Sequence, residues 1–177
     1  MSRLSFLAIA ISLLAVGCSD STPAPTTPAT PAPQNRFVFA ATLSSANEVP
    51  PISNAEQGSS GQATLTMNTT RDAAGQITGA TFDVSVSFAG FPAGSSVTLA
   101  HIHQAAVGVN GGVVIAMVPN AGEVTFPNGS GSYVRSGFPV SPVDLANQVI
   151  NNPAGFYFNC HSALNPGGVV RGQLRLQ

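Results

Sequence analysis

Residues 80–88, ATFDVSVSF, alternate without a break: Phe82, Val84, Val86 and Phe88 fall on one side, and Thr81, Asp83, Ser85 and Ser87 on the other. A helix, whose faces repeat every 3.6 residues, cannot use this pattern, whereas a strand with one face in a core and one in water requires it. FVFAATL repeats the pattern with Phe37, Phe39, Ala41 and Leu43, and ATLTM with Ala63, Leu65 and Met67, before Asp72–Gly75 supplies a turn. Clean alternation of this kind belongs to antiparallel sheets rather than to parallel strands buried on both faces. SVTLAHIH, GVVIAMV, GSYVR, GFYFNCH and VVRGQLRL are further candidate strands, bounded by Gly, Asn or Pro. One helix is expected to open at Ser141-Pro142-Val143-Asp144, with a serine cap and proline at the first helical position. Leu145, Val149 and Ile150 give it an apolar side before Pro153 ends it. Roughly eight short strands and one short helix predict an all-β fold, a β-sandwich or Greek-key barrel.

The N-terminal residues stand apart from this pattern. MSRLSFLAIAISLLAVGC, residues 1–18, has a basic n-region and an apolar stretch too short to span a bilayer, as a signal peptide does. Its end, Leu14-Ala15-Val16-Gly17-Cys18, resembles a bacterial lipobox, although Ala15 stands where Leu is more usual and ordinary signal cleavage is the alternative. Lipidation at Cys18 would anchor the protein outside the cytoplasm on the cell envelope, and Ser19 would suit an outer-membrane address in a Gram-negative cell. Residues 19–35, SDSTPAPTTPATPAPQN, form a Pro/Thr/Ala-rich linker. In polyproline II form, at about 3.1 Å per residue, it would reach some 50 Å. Residues 36–177 remain as one domain. The chain holds no lysine and has a net charge of −1, which argues against nucleic acid as a partner. Membrane contact is expected only through the lipid. With Cys18 acylated, Cys160 is left without a disulfide partner.

All three histidines lie in two candidate strands, His101 and His103 in SVTLAHIH and His161 after GFYFNC. Regular alternation puts Val97, Leu99, His101 and His103 on one face, against Thr98, Ala100 and Ile102. Side chains two apart on a strand sit about 6.6 Å apart at Cα, so H-x-H is a preformed clamp for one ion. Neutral imidazole suits copper or zinc, with His161 as third ligand and Cys160 as candidate fourth. Cys160 and His161 face opposite ways on a regular strand, so only one of them can join unless a bulge intervenes. The competing reading is a structural wall of imidazoles bonded to backbone carbonyls and Asn159. Protons would weaken a three-histidine metal site below about pH 6.

Other chemistry finds little support. There is no G-x-S-x-G elbow for a serine nucleophile. The glycines of AVGVNGGVV lie between strands rather than before a helix, so they form a loop and not a phosphate cradle. The carboxylates fall in turns or on polar faces, and Cys160 as a nucleophile would point away from His161. Glu48, in ANEVPP, and Arg171, within an apolar run, each need a partner. A bidentate ion pair, with the groups within about 6 Å, would satisfy both.

Four segments carry a resemblance when taken in order: LSSANEVPP, GQATLTMN, AHIHQAAVGVNGGVV and FYFNCHSALNPGGVVRGQL. Together they resemble the CHRD domain, named after chordin and common in secreted bacterial proteins, over nearly all of residues 37–177. The resemblance implies an immunoglobulin-like or Greek-key antiparallel β-sandwich that is similar to an interaction or binding module. Val169 departs from the acid usual before the Ile-Arg of the last motif, and Cys160 from the Val usual before its histidine. The H-x-H strand also looks like the copper strand of copper/zinc superoxide dismutase, but this chain has too few histidines for that enzyme's paired metal site. Three expectations follow: an extracytoplasmic, tethered binding module holding copper or zinc; a copper-dependent redox enzyme; or a metal-free domain binding an envelope protein or glycan.

Overall fold

A computed structural model describes residues 34–177. The signal peptide, Cys18 and all but the last two residues of the linker lie outside the described residues. The domain is built from ten strands: β1 (Arg36–Ser44), β2 (Ser60–Arg71), β3 (Ile77–Ala89), β4 (Ser95–Gln104), β5 (Gly112–Ala116), β6 (Thr125–Phe126), β7 (Gly131–Pro139), β8 (Phe156–Ser162), β9 (Val170–Gln173) and β10 (Arg175–Leu176). One α-helix, α1 (Asp144–Asn151), separates β7 from β8.

Every strand pairing is antiparallel, and the order across the sheet is β5-β4-β8-β9-β1-β2-β3-β7, with β6 on β4 and β10 on β1. The two ends of this sheet curl towards each other. The Tyr133 hydroxyl of β7 donates to the Met117 carbonyl just beyond β5 at 3.0 Å, and Arg135 donates to the Val118 carbonyl at 3.0 Å. The result is the all-β, sandwich-like and nearly closed barrel that the alternation predicts, with one sheet folded over its own core.

The apolar faces read from β1, β2 and β3 are the faces that are buried. Phe39, Ala41, Leu65, Met67 and Phe82 have no measurable exposure. Register explains why this holds along three strands together: Phe39 pairs with Leu65, which pairs with Val84, so one alternation fixes the next. On the other half of the sheet Ile102, Phe158, Cys160 and Val170 complete the core, and α1 adds Leu145, Ala146 and Val149.

Two expectations need correction. The helix begins at Asp144, with Val143 at its N-cap and no side-chain cap. Its first turn is held by the Leu145 and Ala146 amides on the Pro142 and Val143 carbonyls, so Ser141 lies too far upstream for its hydroxyl to cap anything. More consequential is β4, where the register slips between Val97, opposite Ser162, and Leu99, opposite His161. Two residues of β4 are used against one of β8, and this bulge reverses the faces. Val97 therefore enters the core with Ala100 and Ile102, while Leu99, His101 and His103 point to the opposite side.

Gly172 marks where the sheet is tightest. A Cβ there would lie 2.2 Å from the Thr42 carbonyl oxygen and 2.8 Å from its carbon. Backbone cannot yield as a flexible side-chain tip does, so Gly172→Ala must push β9 away from β1. A destabilisation of about 1–3 kcal/mol, the usual scale for overpacking, is expected in urea unfolding. An unchanged midpoint would show that the two strands are not held so closely.

Candidate metal centre

Beyond the core, β4, β8 and β9 carry a second, polar layer. Across the strand pairs His103 faces Tyr157, His101 faces Asn159, and Asn159 faces Arg171. His161 is diagonal to His101, the arrangement in which long side chains on neighbouring strands meet. The loop before β5 and the loop between β8 and β9 each contribute a carbonyl that contacts this layer. His103 and His161 are only 8 % and 6 % exposed, and His101 is partly buried.

The three rings converge. His101 Nδ1 lies 3.1 Å from His161 Nε2, and one ligand nitrogen from each ring can be chosen so that all three are within 4.8 Å of one another. An ion bound at about 2.0–2.1 Å would set its nitrogens roughly 3.3–3.6 Å apart, so small ring rotations would close the cluster around it.

Backbone carbonyls decide which nitrogens are free. His103 Nδ1 sits 3.0 Å from the Gly111 oxygen, and His161 Nδ1 sits 2.9 Å from the Pro166 oxygen. A carbonyl can only accept, so each Nδ1 carries the proton and each Nε2 presents a lone pair. These contacts fix the orientation and basicity of an imidazole in the way outer partners of metal ligands do. His161 Nε2 meets His101 Nδ1, but His103 Nε2 is buried with no hydrogen-bond partner among the described residues. The second ring is also held by stacking: His103 and Tyr157 lie 4.8 Å apart and 7° from parallel. The Tyr157 hydroxyl accepts from the Gly111 amide at 3.2 Å, so the same residue that holds His103 also holds its stacking partner. Gly111 has little choice of identity, since a Cβ would fall 2.1 Å from the Gln104 carbonyl oxygen.

Burial favours the neutral form of all three rings. It lowers the pKa of His101 from 6.5 to about 4, helped by His161 and His103. His103 and His161 are also lowered, chiefly by burial and against the opposing pull of the Gly111 and Pro166 carbonyls. Neutral imidazole is the form that ligates a metal. Proton competition at His101 therefore belongs nearer pH 4 than the pH 6 expected for ordinary histidines.

Cys160, the candidate fourth ligand, is not brought to this cluster. It opposes Ala100 on the core face of β8 and has no exposure. No bulge separates Cys160 from His161, so the two diverge as neighbours on a strand must. Burial also drives its thiol pKa strongly upward, away from the thiolate that binds metal or attacks a substrate.

Glu48 and Arg171 do come together, but not as a bidentate pair. Arg171 Nε is 4.0 Å from Glu48 Oε2, beyond hydrogen-bonding distance, and donates instead to the Asn47 carbonyl at 2.6 Å. Nη1 reaches the Asn110 side chain at 2.8 Å, and the guanidinium lies 4.8 Å from the centre of the Tyr157 ring. Arg171 thus ties the Asn47 and Asn110 loops to Tyr157 and, through it, to His103. Sequence reasoning missed Tyr157, Gly111 and Pro166. Strand alternation puts Tyr157 on the face of His161, four residues away, but backbone acceptors leave no signature in residue type.

The family comparison agrees with the motifs. The CHRD domain model matches residues 39–174, and the chain belongs to the CHRD domain family. No match was found among curated proteins or among solved structures.

The ionisable groups pull stability in opposite directions. Glu48 rises from 4.5 to about 7, mainly because it is buried, with Arg171 and Asn159 opposing. Its folded form holds the proton more tightly than the unfolded chain, so its contribution is complete below pH 4.5 and is lost as pH rises through about 7. The histidines behave inversely. Their folded pKa values lie below 6.5, so their contribution is complete above pH 6.5 and is lost as pH falls through the folded values, about 4 for His101. In metal-free protein, Glu48→Gln should therefore gain thermal stability relative to wild type as pH is raised from 4.5 to 7.5. Melting curves that stay parallel across that range would show that Glu48 ionises normally.

Proposed function

We propose that this CHRD domain is an extracytoplasmic, membrane-tethered binding module that holds one copper or zinc ion through His101, His103 and His161. The observation that carries the reading is the orientation of the rings: two have Nδ1 tied to backbone carbonyls, and His103 Nε2 is a buried acceptor with no partner among the described residues. A buried polar atom left unpaired costs about 1–3 kcal/mol, and an ion at the shared point would remove that cost. A purely structural wall of histidines would be expected to bond each ring nitrogen it buries. The tether rests on the lipobox-like Cys18 and the Pro-rich residues 19–35. An envelope protein or glycan is the class of partner such a tethered domain would meet.

Elemental analysis tests the ion. Protein loaded with copper or zinc and freed of excess should retain near one equivalent, and the double variant His101→Ala with His103→Ala should retain none. Absence of metal from wild type, or retention by the folded double variant, would contradict the site and leave the metal-free interaction module.

A copper-dependent redox activity is the second reading, and the partial exposure of His101 favours it, because solvent can approach one ligand of the ion. A superoxide-decay assay on copper-loaded protein separates the two readings. The binding module predicts activity no greater than that of the same concentration of free copper, whereas a redox enzyme predicts clearly more.

A further inference from the structure

The charge of the donor set and the number of donors bear on which ion the site takes; the argument rests on the reading that the three imidazoles hold a metal. Among the described residues the cluster contains no carboxylate and no thiolate. Cys160 faces the core, and buried Glu56 is engaged by Ser162 and Asn165, each 2.5 Å from its Oε2. Glu48 lies on this side of the sheet, with its Oε2 4.0 Å from Arg171. Ligand charge is therefore zero, and the closest fixed charge on the His103 side is positive: Arg171, 3 % exposed, beyond the Tyr157 ring on which His103 stacks.

The work of burying an ion grows with the square of its charge, so a divalent ion costs about four times as much as a monovalent one before its ligands repay anything. Neutral imidazoles repay it without cancelling charge, and Arg171 adds repulsion. Zinc on three histidines completes its shell with water, whose ionisation supplies the missing negative charge and needs an open position. Two of the three rings here are buried to 8 % exposure or less.

Coordination number points the same way. Copper(II) seeks a tetragonal set of nitrogen and oxygen donors. Here His103 is pinned by Gly111 and the Tyr157 stack, and His161 by Pro166, while His101 alone has no carbonyl tie among the described residues. Two fixed nitrogens and one that can swing suit an ion content with two or three ligands and tolerant of their angles.

We infer that the site selects by charge and coordination number, and that its preferred ion is monovalent copper, bound more tightly than copper(II). Copper(II) is the demanding competitor, because divalent affinities at nitrogen sites rise to copper and fall again at zinc.

Affinities for the two oxidation states are measured on the purified protein: copper(I) anaerobically against bicinchoninate, copper(II) against a chelator of known strength. Copper(I) should bind at one equivalent and at least about tenfold more tightly than copper(II), which raises the midpoint potential of the bound couple by about 59 mV per tenfold. Asn159→Asp places a carboxylate opposite His101 on the neighbouring strand. It should narrow the ratio by about tenfold and lower the potential, an effect that loss of a structural amide would not produce. Equal or tighter binding of copper(II) by wild type overturns the selectivity and leaves the metal site standing. An unchanged ratio in folded Asn159→Asp overturns the charge argument. Failure of both ions to bind removes the site itself. The wild-type ratio decides even if the variant does not fold.

Discussion

The register between β4 and β8 is the constraint on which everything at the polar face depends. A strand offers only two directions for its side chains, and the bulge at Val97–Leu99 decides which one the histidines take. Had β4 continued regularly from Val97, His101 and His103 would have shared the core side with Phe158 and Cys160. Two imidazoles there would have displaced the apolar contacts of Ala100 and Ile102, both without exposure. With the bulge, Val97 serves the core and the H-x-H pair turns to meet His161, whose own strand has already put Cys160 inside.

That arrangement gives the domain two interiors with different chemistry. One is the apolar core of Phe39, Leu65, Phe82 and Phe158, stabilised by burial at roughly 25 cal/mol per Å² of apolar surface. The other is the polar layer of His101, His103, Tyr157, Asn159, His161 and Arg171, roofed by loops. There the stabilisation comes from particular partners: carbonyls on two ring nitrogens, a phenol on the Gly111 amide, a guanidinium against an aromatic face. Such a layer is costly wherever a partner is absent. Of the five buried side-chain atoms without a partner among the described residues, His103 Nε2, Asn159 Oδ1 and Arg171 Nη2 belong to it, and Glu48 Oε1 lies beside Arg171. Polar groups are held rigidly there at a cost to stability, as functional sites commonly are.

The fold was legible where local pattern and tertiary role coincide. ATFDVSVSF, ATLTM and FVFAATL each alternate cleanly because their strands run without interruption and each carries one face to the core. The three histidines were legible as a group by their confinement to two strands. What the residues did not disclose has physical reasons. A bulge inserts a residue without disturbing the period of two in the letters, so the faces of Val97 and His101 could not be separated by eye. β6 is two residues long, too short for any periodicity. The ties from Gly111 and Pro166 are backbone contacts, which any residue could make, and the stack of Tyr157 on His103 depends on a pairing register fixed only in three dimensions. Glu48 and Arg171 do lie side by side, but the hydrogen bonds of the guanidinium go to the Asn47 carbonyl and the Asn110 side chain, which residue type alone does not disclose.

X-ray absorption at the copper edge of the loaded protein tests the central claim most directly, because it counts and types the atoms around the ion. Three imidazole nitrogens at about 2.0 Å, with no sulfur in the shell, is the result the proposed site predicts. A sulfur scatterer would mean that Cys160 has left the core and that the strand faces are misassigned. A shell with fewer than two imidazoles would mean that His101, His103 and His161 do not act on one ion.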